Sequence, residues 1–294
     1  MEKSNVTLKQ AMQPFANVAP SIEQIRLGNA YLRIGHTGSA VLACRRLLHA
    51  KGYACNQHGE TYDEALRNTV RGFQGKYELG NDGLLGQATL AVLEDTQGDT
   101  DWFVNGETRL TAGKLARLGF RKLMLRPHFV QQLNTTCRVY NMNSKTKIRH
   151  FLAQGFVETD SGKTLTEYIY RPGRPKENYA NCRYAPYCGG GFLQLTWEAN
   201  YSAFYEYMKR ERHIDDPRIK KPAEYATQYV ADTYPFESAG WFWEVYKRLN
   251  RKIDDWSPLS AVDTVTQVTK VVNGGTNGLR ERIAMYEKVK QILR

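Results

Sequence analysis

The stretch SKTKIRHFLAQGFVETDSGKTLTEYIY, residues 144–170, decides how the larger part of this chain folds. Ser144 has the side chain of a helix N-cap, and Ile148, Phe151, Leu152 and Phe156 recur at helical spacing, which predicts a helix over 144–158 with one apolar stripe. Glu158 stands seven residues after Phe151, on or beside the buried face. That is an expensive position for a carboxylate, because burial disfavours its charged form. A continuous helix would hold Glu158 and Glu167 ~13.5 Å apart along the axis and on opposite faces. Asp160-Ser161-Gly162 argues against continuity, and a loop there can fold Glu167 back to face Glu158 across a cleft. Two carboxyl groups ~6.5–9.5 Å apart, with room for a water, suit acid–base cleavage of a glycosidic bond. The same letters also fit two exposed carboxylates with no chemistry.

Outward from this stretch the reading stays helical, with segments expected at 111–118, 128–142, 197–211, 222–232, 236–249, 259–272 and 279–293. Residues 160–191 are too rich in Gly, Pro and Tyr for packed helices and read as a cleft lining. Next comes Tyr187-Cys188-Gly189-Gly190-Gly191-Phe192-Leu193-Gln194-Leu195-Thr196-Trp197, where glycines permit close backbone approach and amide and hydroxyl groups suit sugar hydroxyls. Trp241, Phe242 and Trp243 read as helix core, and Asn273-Gly274-Gly275 as a turn before a last helix striped by Leu279, Ile283, Tyr286, Val289 and Leu293.

Toward the N-terminus the pattern changes scale. Val41, Cys44, Leu47 and Leu48 form one helical face, and Leu66, Val70, Phe73 and Tyr77 a second; a third helix runs from about Ala88 to Leu93. This predicts a three-helix domain over 27–95, preceded by an extension over 1–26 and followed by a linker over 96–110, where periodicity fades into Asp, Thr, Gly and Asn. Residues 111–294 then form the second domain.

The chain has 294 residues and a formal net charge of +11, divided as −1 over residues 1–110 and +12 over 111–294. A basic half suits a polyanionic partner or a solvated surface. Residues 1–20 contain no apolar core of an export signal, and no stretch is apolar enough to span a bilayer, so membrane insertion is not expected. Five cysteines are too sparse for a disulfide framework, although Cys44/Cys55 and Cys182/Cys188 each bracket a short loop. The six histidines form no zinc-binding pair, so neither metal nor cofactor is expected.

Two resemblances sharpen these readings. Residues 32–94 resemble the peptidoglycan-binding module of cell-wall hydrolases: Asp82, Gly83, Gly86 and Thr89 match its Asp-Gly-x-x-Gly-x-x-Thr turn, Phe73-Gln74 its preceding Phe-Gln, and 56–61 keep little of its first turn. The second half resembles family 19 glycoside hydrolases, which include plant-type chitinases and phage endolysins. The matching residues are Glu158-Thr159, Glu167, Gly189 to Thr196 with Asn200-Tyr201, Ser238 to Trp243, and Val272 to Gly275 followed by Arg282. That resemblance implies Glu158 as general acid, Glu167 as the base that activates water, Thr196 as a residue holding that water, and Gln194, Asn200, Tyr201 and Asn273 as sugar contacts. The sequence departs from the family at Val157, where a His precedes the acid, and at Gly190, where an Arg stands between glycines.

The expectation is therefore a mainly α protein with a small three-helix wall-binding domain and a lysozyme-like catalytic domain. It would act as a monomeric endolysin on the glycan strands of bacterial peptidoglycan, without nucleic acid, reaching the wall from the cytoplasm in which it is made. The alternatives are a chitinase on the same fold, a non-catalytic wall-binding protein, and a nucleic-acid-binding protein favoured by the basic half alone.

Overall fold

The computed structural model describes residues 17–294, so most of the expected N-terminal extension lies outside the described residues. The chain divides into two compact units between Thr96 and Gln97. It is mainly helical; its strands are confined to one two-stranded hairpin and isolated bridges among the described residues.

The first unit holds the three expected helices as α2 (Ser39–Ala50), α3 (Glu64–Lys76) and α4 (Gln87–Glu94). A short helix that the sequence did not announce, α1 (Ile22–Arg26), precedes them. Ser21 and Gln24 close a capping box on α1, and Arg26 reaches Glu94 on α4 at 2.6 Å, so residues 21–26 belong to the unit rather than to an extension. Asp63 caps α3 through the Leu66 amide and also pairs with the buried Arg45 of α2 at 2.7 Å. Val41, Cys44 and Leu48 meet Leu66, Val70 and Phe73 in a fully buried core.

The second unit starts earlier than expected. Residues 97–110, read as a linker, contain the hairpin β1 (Phe103–Val104) and β2 (Glu107–Thr108), paired Phe103 with Thr108. Trp102 is fully buried and its indole N–H donates to the Arg294 carbonyl at 3.1 Å, while the Leu110 amide donates to the Asn134 side chain at 2.8 Å. Polar composition hid this docking because one tryptophan and one leucine supply its apolar contacts.

Nine helices follow among the described residues: α5 (Ala112–Leu118), α6 (Pro127–Val139), α7 (Lys145–Glu158), α8 (Glu198–Glu211), α9 (Ala223–Thr233), α10 (Pro235–Gly240), α11 (Leu249–Asp255), α12 (Ala261–Asn273) and α13 (Leu279–Ile292). The single helix expected over 236–249 is broken. α10 passes into a π-helical turn at Trp241–Tyr246, the chain reverses at Arg248 with φ 53°, and α11 begins anew. Trp241 and Trp243 are core, as read, and the Trp243 indole donates to Asn250 at 2.9 Å.

α7 is the central element, packed against α12 and α13. Gly155 explains how it meets the loop that follows: a Cβ there would lie 2.0 Å from the Phe192 ring. The missing side chain lets Phe192 press onto the helix, joining Phe151, Phe120 and Phe236 in one aromatic cluster. The glycine-rich loop is thereby fixed against the helix that ends at Glu158.

Candidate active-site cleft

Ser144 caps α7 by accepting from the Lys147 amide, and the helix ends on Glu158. Thr159 then closes the turn: its hydroxyl donates to the Gly155 carbonyl at 2.7 Å and accepts from the Gly162 amide at 2.9 Å. Asp160 and Ser161 adopt φ of 45° and 63°, which ends the helix as expected. The returning chain pairs with the glycine-rich loop, with the Glu167 amide donating to the Gly189 carbonyl at 2.8 Å and Thr166 bridging Gly190.

This fold-back brings Glu158, Glu167, Gln194, Thr196 and Asn273 to one open cleft of about 510 Å³. Val157, Tyr168, Tyr184 and Asn277 share its walls. The volume falls within the ~300–1,000 Å³ typical of ligand sites.

The two carboxylates are held by different chemistry. Glu158 does not sit in the apolar setting its sequence position suggested; its Oε1 pairs with the Arg282 guanidinium at 2.7 Å. Arg282 lies on the buried face of α13 and also donates to the side chain of Gln154, whose own amide donates to Thr269 on α12 at 3.2 Å. Three helices are thus tied to the position of one carboxylate. Glu167 accepts from the Tyr184 hydroxyl at 2.6 Å on Oε1 and from the Gly189 amide at 3.0 Å on Oε2. Burial, and then the hydrogen bond to Glu167, raise the Tyr184 phenol, so it remains a proton donor through the neutral range.

Arg282 and Tyr184 were absent from the site residues expected on sequence. Arg282 had a signal: it lies three residues after Leu279 and four before Tyr286, on the apolar stripe, where a cation needs a partner. Tyr184 had none, since it sits in the irregular 160–191 segment.

One expected sugar contact is corrected. Tyr201 is fully buried, and its hydroxyl donates to the Cys188 carbonyl at 2.9 Å, so it supports the glycine loop from beneath. Asn200 is half-buried, and its amide donates to the Thr196 carbonyl at 2.8 Å. Both lie on the first turn of α8, and of the two only Tyr201 is turned wholly into the core. The departure at Gly190 also has a steric reading. A Cβ there would lie 2.8 Å from the Tyr201 hydroxyl and 2.9 Å from the Thr227 carbonyl, so no larger side chain fits this backbone.

In the first unit the motif residues have structural partners. Gln74, fully enclosed, places its amide nitrogen within hydrogen-bonding distance of Asp82 (3.0 Å), the Leu84 carbonyl (2.9 Å) and Thr89 (3.2 Å), which share its two N–H donors, and accepts from the Gly83 amide at 2.9 Å. Gly83 has φ 71°, a conformation that favours glycine. Gly86 is the N-cap position of α4. All five cysteines are free thiols, so neither bracketed pair is bridged.

Residues 37–93 match the family model described as a putative peptidoglycan binding domain. A Haemophilus influenzae protein described as a glycosyl hydrolase family 19 domain-containing protein is 28% identical over 102 residues, spanning 34% of this chain and 39% of that protein. The matched region thus covers well under half of that relative. A solved structure of a mutant of chitinase C is similar with 17% identity and a TM-score of 0.42, covering 65% of this chain and 95% of the other.

Proposed function

We propose that this protein hydrolyses the glycan strands of bacterial peptidoglycan, with the first unit holding the wall and the second cutting it. The observation that carries this reading is the meeting of Glu158 and Glu167 in one open cleft, each fixed by its own partner. In the protonated form that the acid role requires, Oε1 of Glu158 accepts from Arg282 and the proton lies on Oε2, which passes it to the departing glycosidic oxygen and leaves Glu158 as the carboxylate paired with Arg282. Glu167, oriented by Tyr184 and Gly189, takes a proton from a water held with the help of Thr196, and that water attacks the anomeric carbon from the opposite face. Such a step inverts the anomeric configuration. Gln194 and Asn273 would hydrogen-bond the sugar.

The family model matched by residues 37–93 supports peptidoglycan as the bound polymer. The described relative supports a glycosidase of the family 19 type. A muramidase acting as a monomeric endolysin, made in a bacterial cytoplasm, is the biological setting in which we place it. The test is digestion of purified peptidoglycan beside chitin, with mass analysis of the products and proton NMR of the first-formed anomer. Soluble muropeptides of inverted configuration are the expected result. Cleavage of chitin alone, or a retained anomer, would overturn this account.

A further inference from the structure

A second hollow, of about 290 Å³, adjoins the cleft, and Thr164 and Thr166 line both. The Thr164 hydroxyl donates to the Thr166 carbonyl at 2.7 Å and accepts from the Thr166 amide at 3.1 Å, so this segment is folded on itself as a partition. The polar groups of the hollow are Arg126, His128, Lys163, Gln228 and Asp232, around the buried rings and chains of Phe129 and Leu165. None of these has a part in the chemistry above.

Arg126 is the group in want of a partner. Its Nε is buried and makes no hydrogen bond, a costly state for a guanidinium. The other charges are engaged: Lys163 pairs with Asp160 at 3.0 Å, and Asp232 accepts from the Gln228 amide at 2.9 Å. Burial, then the nearby Arg126 charge, lower the affinity of His128 for a proton, so it adds an uncharged ring at neutral pH. The hollow therefore offers a guanidinium that no carboxylate pairs with among the described residues, a Gln–Asp pair for amide groups, and an apolar floor. A short acidic peptide has this chemistry. In peptidoglycan such a peptide branches from the glycan itself, so a site for it must open beside the sugar cleft, as this hollow does.

We propose that the hollow binds the acidic peptide stem of peptidoglycan, an inference that rests on the reading of the neighbouring cleft as a glycan site. Arg126 takes a stem carboxylate, and Gln228 with Asp232 takes the peptide backbone. An unbranched polymer such as chitin leaves the hollow empty.

The test is calorimetric titration of the full chain with an N-acetylated acidic tetrapeptide of stem sequence, and with the same peptide carboxamidated. The acidic peptide should bind, and Arg126→Gln or amidation should each weaken it roughly tenfold, the loss of one charge-assisted hydrogen bond. In hydrolysis, the wild type should show a lower KM on stem-bearing strands than on strands stripped of peptide, and Arg126→Gln should remove that preference while leaving the stripped-strand rate unchanged. Equal binding of the two peptides, or no binding by the wild type, overturns the inference. Because amidation alters the ligand alone, that result stands even if the variant fails to fold. Failure to cleave either strand type would instead overturn the reading of the cleft, and the peptide titration would still decide this proposal.

Discussion

The turn around Gln74 and the cleft around Glu158 are both places where the sequence matches a known motif, yet the two use their residues in opposite directions. In the first unit Asp82, Gly83 and Thr89 all bond inward to one buried glutamine. In the second, Glu158, Glu167 and Gln194 bond to the scaffold with part of each group and line a cavity with the rest. A motif can thus mark a device for folding or a device for chemistry. Only the partners of its polar atoms tell which.

Substitution should separate the two most sharply at Glu158, the proposed acid. Glu158→Gln should lower peptidoglycan hydrolysis by ~10²–10⁴-fold while melting temperature stays near that of the wild type. A folded variant with wild-type turnover would remove Glu158 from the chemistry and collapse the contrast.

Acid should expose a smaller difference, one that belongs to the second unit. His150 of α7 is buried against Tyr286 with neither ring nitrogen hydrogen-bonded, and burial lowers its pKa from 6.5 to about 3. The folded state holds this ring neutral while the unfolded chain protonates it below about 6.5, so stability is lost as pH falls from there toward about 3. Between pH 7 and pH 5 the wild type should lose ~2 kcal/mol that His150→Phe does not, measured by urea unfolding. Parallel losses in the two proteins would show that the ring is reached by solvent.

The smallest effect on turnover is expected at the turn. Gln74→Ala leaves Asp82, Thr89 and the Gly83 amide without their shared partner and should destabilise the first unit by ~1–3 kcal/mol. Its rate on soluble glycan fragments should not change. A variant that kept its stability but no longer sedimented with purified walls would mean that Gln74 touches the ligand, and the inward reading of the turn would fail.

Much of the helical frame was legible because its periodicity is local. Ser144 and the stripe through Phe156 placed α7, and Asp160-Ser161-Gly162 placed its end. The carboxylates were legible for the same reason, since each sits at the end or the return of a predictable element. What stayed hidden depends on contacts distant in sequence. Trp102 docks on a carbonyl 192 residues away, so its segment looked like a tether. Tyr201 carries the right chemistry for sugars, but α8 turns it under the loop. Tyr184 acts from a segment without periodicity, where neighbours give no clue to direction.

The pairing of Glu158 with Arg282 spans 124 residues of chain. During synthesis α7 leaves the ribosome well before α13 exists, so the carboxylate must wait for its cation until most of the second unit has been translated. A nascent chain therefore emerges with this wall of the cleft unassembled, and the carboxylate is set in place only as α13 docks.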